Sequence, residues 1–289
     1  MDAGIISGEA GLSIGGNRMN FENLFNVEGR IVCVTGGAGG IGRGIAGAFV
    51  AGGARVYIAS RSDLQESAAE LSDEGSGECF ALRADLASDD DIGGLAASLR
   101  EREGKLDVLV NNAALGGFIH DFGEFPMDEW DTMTSVNLRA PFALTQACLP
   151  LLQEAARPES HAAVINIASV DGMRVAADND WAYGMSKAGL IHLTRQLAGL
   201  LGNNHGREGG HNITFNAVAP GPFPGMLDRY LETEEGRTAV GAATVSGRVG
   251  KPEDVGAACI YLASRAGSYV TGALLPVDGG LLVGKRANS

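Results

Sequence analysis

The sequence predicts an α/β protein: one doubly wound, seven-stranded parallel sheet with helices on both faces. Three observations predict it. Short, apolar, β-branched runs recur along the chain, as strands buried on both faces require. Between them lie longer stretches with apolar residues at helical spacing, the alternation that builds a parallel sheet. The first apolar run ends in a glycine-rich turn that opens a helix, where an open sheet of this kind takes its ligand.

The 289 residues, 45% of them hydrophobic, suffice for one large core, assigned to residues 29–289. Residues 1–28 are glycine-rich, carry Asp2 and Glu9, and have neither a basic start nor a sustained apolar run. They are expected to form a flexible tail rather than a secretory signal. A net charge of -13, with no Lys/Arg run, disfavours nucleic acid and anionic membrane as partners. No stretch has the roughly 18 apolar residues of a spanning helix, so a soluble, cytoplasmic protein is expected. The 4 cysteines, Cys33, Cys79, Cys148 and Cys259, are widely spaced in apolar segments and are expected to be reduced. His205 and His211 have no carboxylate or cysteine set around them, and no metal is expected.

The first strand spans 30–35 and runs into Thr35-Gly-Gly-Ala-Gly-Gly-Ile-Gly42. Gly36, Ala38, Gly39, Gly40 and Ile41 are expected to let a pyrophosphate approach the backbone at the helix N-terminus. A plain tight turn is the competing reading in a chain with 43 glycines; the strand before and the helix after favour the ligand. A second strand, 54–59, ends in Ser60 and Arg61. A donor and a cation there, in place of an acidic residue, favour NADP(H) over NAD(H). A solvent-exposed arginine is the alternative.

Asp63 is expected to cap a helix reaching residue 74, before a third strand at 78–82. At its tip, Asp85 and Leu86 face the adenine, or Asp85 caps the helix at 88–103. The fourth strand, 106–110, ends in Asn111, Asn112, Ala113 and Ala114, small polar residues placed to shape the cleft. A long helical pattern, 127–156, carries Asn137 in an apolar stretch. Pro141, one turn on, disturbs the ladder and frees a carbonyl near Asn137 for a water; a buried asparagine satisfied by structure alone is the competing reading.

The fifth strand, 162–168, presents Ser169 at its carboxyl end, as a polar group for a ligand or as a helix cap. The helix at 183–201 then brings Tyr183 and Lys187 to the same edge. Residues 202–210 read as an exposed loop, and 211–218 as the sixth strand. Pro220 and Gly221 begin a proline-rich segment, about 220–250, that reads as a lid over an apolar substrate through Phe223, Met226 and Leu227. Lys251 opens a helix through residue 263, and 273–277 forms the seventh strand.

Tyr183 and Lys187 are four residues apart and share one helix face. A phenol has a pKa of about 10, and an ammonium about 4 Å away contributes roughly 4 kcal/mol at an effective dielectric of about 20. The spacing therefore predicts a phenol made acidic enough to exchange a proton near neutral pH, as a carbonyl needs when a hydride reaches it.

Taken together, Thr35-Gly-x-x-x-Gly-Ile-Gly42, Asn111-Asn-Ala-Ala114, Asn137, Ser169, Tyr183-x-x-x-Lys187, Asn216 and Pro220-Gly221 resemble the short-chain dehydrogenase/reductase family, over about 27–283. The resemblance implies a single Rossmann-type fold. It also implies Tyr183 as acid/base, Lys187 as the cation that lowers its pKa and holds the nicotinamide ribose, Ser169 as the group orienting the carbonyl, and Asn137 as the support of a relay water. Asp85, Leu86, Asn112, Ala113, Ala114, Pro220 and Gly221 join the cofactor contacts. Within the family the chain looks most like the 3-oxoacyl reductases of rhamnolipid synthesis, through Val164-Ile-Asn-Ile-Ala-Ser169 and Ala219-Pro-Gly-Pro-Phe-Pro224. It departs from the family pattern at Ala114, at Gly225 and in the stretch Ala177-Asp-Asn-Asp180. Ala143 and Gly199 stand where some relatives carry basic residues for acyl carrier protein, which favours a free or CoA-linked carbonyl compound.

The expected activity is NADPH-dependent reduction of a ketone to a secondary alcohol. The alternatives are NAD-dependent oxidation of a secondary alcohol such as a sugar acid or polyol, and a cofactor-binding sensor without turnover. Apolar faces on the helices that start near Met127 and Tyr183 suggest a homotetramer or homodimer.

Overall fold

A computed structural model describes residues 21–175, 180–202, 212–225 and 227–284. Seven strands, all parallel, form one sheet in the order β3-β2-β1-β4-β5-β6-β7. They are β1 (Ile31–Thr35), β2 (Arg55–Ser60), β3 (Glu78–Arg83), β4 (Val108–Asn111), β5 (Ala162–Ile167), β6 (Ile213–Pro220) and β7 (Leu274–Val277). The order reverses between β1 and β4, which opens a crevice at the carboxyl ends of the strands.

The helices are α1 (Phe21–Phe25), α2 (Gly40–Ala51), α3 (Gln65–Asp73), α4 (Asp89–Glu103), α5 (Met127–Thr134), α6 (Ala140–Ala155), α7 (Trp181–Leu201), α8 (Asp228–Leu231), α9 (Glu234–Ala242) and α10 (Pro252–Ala263). Alternate strand residues face opposite ways, so the sheet divides the core in two. On one face, Val32, Val34, Val56 and Ile58 pack with Ile45 and Phe49 of α2, Leu71 of α3 and Val255 and Cys259 of α10. On the other, Cys33, Tyr57, Leu109 and Phe215 pack with Leu95 and Leu99 of α4, Leu144 and Cys148 of α6 and Leu197 of α7. All four cysteines are free thiols buried within these two layers.

Several sequence expectations are corrected. Residues 1–20 lie outside the described residues, but the flexible tail expected to 28 is ordered over its last part. Phe21–Phe25 is helical, and Val27 is buried against Gly52, where a Cβ would lie 2.6 Å from its methyl. Asp63 is not the cap of α3, because Leu64 holds that position; its carboxylate instead accepts from Gln65 N at 3.0 Å. Ser88 caps α4 by accepting from Asp91 N at 3.3 Å, so Asp85 is not needed there. The continuous helix expected over 127–156 is broken by a π-helical turn, Ser135–Arg139, between α5 and α6. Pro141 follows that turn and has no N–H for the carbonyl of Asn137, which is the disturbance the sequence implied. The loop expected at 202–210 lies outside the described residues beyond Gly202.

Candidate active site

A cleft of about 710 Å3 runs along the carboxyl ends of the strands. At one end the chain leaves β1 through Gly36 and Gly40, whose φ angles of 65° and 49° favour glycine. A Cβ on Gly42 would fall 2.0 Å from Gly36 O, whereas one on Gly39 meets nothing within 4 Å. The turn is therefore tight within and open above the N-terminus of α2, where free N–H groups face the cleft and suit a pyrophosphate. Thr35 fixes the facing wall: its Oγ1 accepts from Asn112 N and Ala113 N, both at 3.0 Å, and its carbonyl accepts from Asn112 Nδ2 at 2.8 Å.

Gly36, Gly39, Gly40, Ile41, Ser60, Arg61, Asp85, Leu86, Asn112, Ala113, Ala114, Pro220 and Gly221 all line this cleft. Ala38 does not line it; its methyl, the apolar group of the turn, packs against the core under α2. Ser60 and Arg61 stand together at the tip of β2. Arg43 turns instead to Glu70 at 3.0 Å and Glu74 at 2.6 Å, so Arg61 is the guanidinium that this end of the wall presents. The donor set and the open turn fit a phosphorylated dinucleotide.

At the other end Ser169, Tyr183 and Lys187 converge on the wall. The Ser169 hydroxyl lies beside the Tyr183 phenol and favours its ionised form. Ser169 also caps the single turn Val170–Gly172 by accepting from Asp171 N at 3.1 Å, which is the capping reading of this serine. Lys187 Nζ lies 5.6 Å from the centre of the Tyr183 ring and donates to Ile167 O at 2.8 Å.

The acidic phenol expected from the Tyr183–Lys187 spacing is corrected by burial. Desolvation raises the Tyr183 pKa above its ordinary value, the charges of Asp171 and Asp180 raise it further, and the Ser169 hydroxyl only partly opposes them. The same burial pushes Lys187 down to about 7. Spacing on a helix places the two groups side by side but says nothing of the water that both lose. The phenol of this cleft is accordingly held in its protonated form.

Asn137 is fully buried behind the wall rather than on it. Its Oδ1 accepts from Leu115 N at 2.8 Å, and its Nδ2 donates to Leu115 O at 2.9 Å and Ser186 Oγ at 3.1 Å. The side chain thus fixes the segment after β4. Asn111 and Asn216 are likewise structural. Asn111 Nδ2 donates to Asn166 Oδ1 at 2.8 Å, and Asn216 ties β6 to Val270 and Ala273.

The segment after Pro220 is the one expected to form a lid. Phe223 packs against Gly250, where a Cβ would lie 2.4 Å from the ring, and it also lines the cleft beside Pro224. Leu227 does reach the cleft, while Met226 lies outside the described residues. Thr132, Val136, Asp171 and Gly117 also line the wall and carry no motif that singles them out. Asp180, another lining residue, falls in the stretch marked as a departure from the family. Among the described residues, no group of three His, Cys, Asp or Glu is placed to hold a metal, and no helix is long and apolar enough to cross a membrane.

A doubly wound sheet with an anion-ready turn at one end of its crevice and a Ser–Tyr–Lys cluster at the other defines a dinucleotide-dependent oxidoreductase. A family model described as enoyl-(acyl carrier protein) reductase matches residues 36–282. The chain belongs to the short-chain dehydrogenase/reductase family. It is 38% identical over 261 residues to the rhamnolipids biosynthesis 3-oxoacyl-[acyl-carrier-protein] reductase of Pseudomonas aeruginosa, covering 89% of this chain and 97% of that protein. It is 33% identical over 264 residues to a 7alpha-hydroxysteroid dehydrogenase of Bacteroides fragilis, covering 89% and 95% of the two chains. Among solved structures, the Pseudomonas aeruginosa RhlG/NADP active-site complex superposes with a TM-score of 0.83 at 38% identity, over 90% of this chain and 98% of that one.

Proposed function

We propose that this protein is an NADPH-dependent reductase that converts a ketone, 3-oxoacyl or otherwise apolar, to a secondary alcohol. The observation that carries the reading is the convergence of Ser169, Tyr183 and Lys187 on the wall of the cleft that Ser60 and Arg61 also line. When bound, the cofactor supplies the hydride. Ser169 and Tyr183 turn hydroxyl groups toward the carbonyl oxygen and stabilise the charge that develops on it. Tyr183 then gives up its proton. A phenol kept protonated is in the right state for this direction, because an alkoxide is far more basic than a phenolate. Lys187, on the same face of α7, holds the ribose of the nicotinamide and compensates the phenolate that is left.

The guanidinium of Arg61 and the hydroxyl of Ser60 suit a 2′-phosphate, and the relative solved as an NADP complex supports that preference. We assign residues 29–289 to one catalytic domain, with a lid at about 220–250. Exposed Phe142 on α6 and Met185 and Leu200 on α7 support self-association into a dimer or tetramer in the cytoplasm. The test is loss of NADPH absorbance with a panel of 3-oxoacyl esters and cyclic ketones. Turnover that persists in Tyr183→Phe would overturn the mechanism.

A further inference from the structure

Two cross-links tie the segment after β4 to the helix that carries Tyr183. At the first, Asn137 grips both backbone groups of Leu115 and donates to Ser186 Oγ, which in turn donates to Tyr183 O at 2.7 Å. At the second, Asp180 Oδ2 accepts from Gly117 N at 2.7 Å while Oδ1 accepts from Tyr183 N at 3.4 Å. Asp180, Tyr183 and Ser186 follow at intervals of three, so both cross-links and the tyrosine share one face of α7.

The next residue extends the contact. Trp181 Nε1 donates to His120 O at 3.0 Å, and its ring meets Phe122 edge-on with centroids 5.2 Å apart. Gly117 has a φ of 86°, so the backbone that offers its N–H to Asp180 is one that favours glycine. Gly117 and Asp180 both line the cleft at the Tyr183 end. A carboxylate that takes two backbone N–H groups from different elements forms charge-assisted bonds, roughly twice as strong as neutral ones.

We propose that Asp180 is a positioning residue that locks the 115–121 segment to the start of α7, so that one wall of the carbonyl site moves as a body with Tyr183. This rests on the reading of Tyr183 as the proton donor. The same carboxylate adds a second effect: with Asp171, whose partner Arg174 lies at 3.3 Å, it opposes ionisation of the phenol, while Ser169 favours it and Lys187 lies beside the ring. Position and protonation of Tyr183 thus both pass through Asp180.

Two substitutions separate these effects from the fold. Serine caps a helix about as well as aspartate, but its one hydroxyl is too short to reach Gly117 as well. Asparagine keeps the shape and removes the charge, and it has a single acceptor oxygen for two N–H groups. Hydrogen exchange on the full chain should show the Gly117 amide exchanging about tenfold or more faster in Asp180→Ser, with the β1 and β4 amides unchanged. In steady state, both variants should raise KM for the ketone about tenfold, with kcat changed less and KM for NADPH unchanged. In Asp180→Asn the basic limb of the kcat/KM profile should move to lower pH.

Wild-type exchange at Gly117 in both variants, or a uniform loss of protection throughout the sheet, would overturn the proposal. So would an unchanged ketone KM together with an unmoved pH limb. Absence of ketone turnover in the wild type would remove the proposed activity alone, and the exchange data would still decide whether Asp180 holds the segment.

Discussion

Lys187 Nζ donates to the carbonyl oxygen of Ile167 at 2.8 Å, at the last residue of β5. The bond anchors a fully buried amine whose pKa burial lowers to about 7, against an ordinary value of 10.5. The unfolded chain therefore binds a proton that the folded chain does not between these two values. Stability contributed by this site rises with pH through that window, by about 1.4 kcal/mol per pH unit, and below about 7 the full cost of burying the charge is present. Thermal melts of the cofactor-free protein at pH 7 and pH 9, compared with Lys187→Met, should show the wild type gaining on the variant as pH rises. A constant difference between the two would contradict this assignment.

Arg61 and Ser60 sit at the tip of β2 on the cleft wall, while the nearby Arg43 is held by Glu70 and Glu74. A hydrogen bond to a charged group contributes about 1.5–3 kcal/mol, so Arg61→Ala should weaken NADPH binding by about 10- to 100-fold. NADH, without the phosphate, should bind as before. Titration of cofactor fluorescence against both proteins checks it, and equal loss for both cofactors would place Arg61 outside the phosphate contact.

Much of this was legible in the chain, for reasons that differ by residue. β1, β2, β4 and β5 are short β-branched runs because both faces of the strand are buried, and that leaves a mark no surface element leaves. The glycine turn and Tyr183–Lys187 were readable because the chemistry fixes residue type and spacing together. Less was readable where a side chain acts through the three-dimensional environment. The burial that raises the Tyr183 pKa and lowers that of Lys187 depends on residues distant in sequence. The seat of Phe223 against Gly250 joins residues distant in sequence and leaves no local signature. Gly117 meets Asp180 across 63 positions, a pairing without local signature.

Gly44 marks where α2 crosses α10. A Cβ there would lie 2.3 Å from Pro252 Cβ and 2.5 Å from the Pro252 carbonyl carbon, and a Cβ on Gly256 of α10 would lie 2.7 Å from Gly44 O. The crowding atoms are backbone and a proline ring, which do not swing away as a flexible side chain does. Gly44→Ala should therefore destabilise the fold by about 1–3 kcal/mol despite the better helix propensity of alanine. Urea unfolding monitored by circular dichroism measures it, and a variant as stable as wild type would show that the two helices can separate without cost.

Asn137 offers the opposite kind of test, since it is buried and every polar atom of its side chain has a partner in Leu115 or Ser186. Asn137→Ala leaves the N–H of Leu115 without its acceptor and the carbonyl of Leu115 without its donor, at a part-buried place on the cleft wall. Each buried group left unsatisfied costs about 1–3 kcal/mol, so a loss of about 2–4 kcal/mol is expected if water relieves part of it. Turnover should fall as well, because Leu115 precedes Gly117 on the wall that faces Tyr183. The two losses separate by temperature. If the asparagine acts only through stability, activity per folded molecule well below the melting point returns to the wild-type value; if it fixes the wall of the carbonyl site, the deficit persists at every temperature where the protein is folded. The second outcome is the expected one, with the ketone KM raised more than that of NADPH.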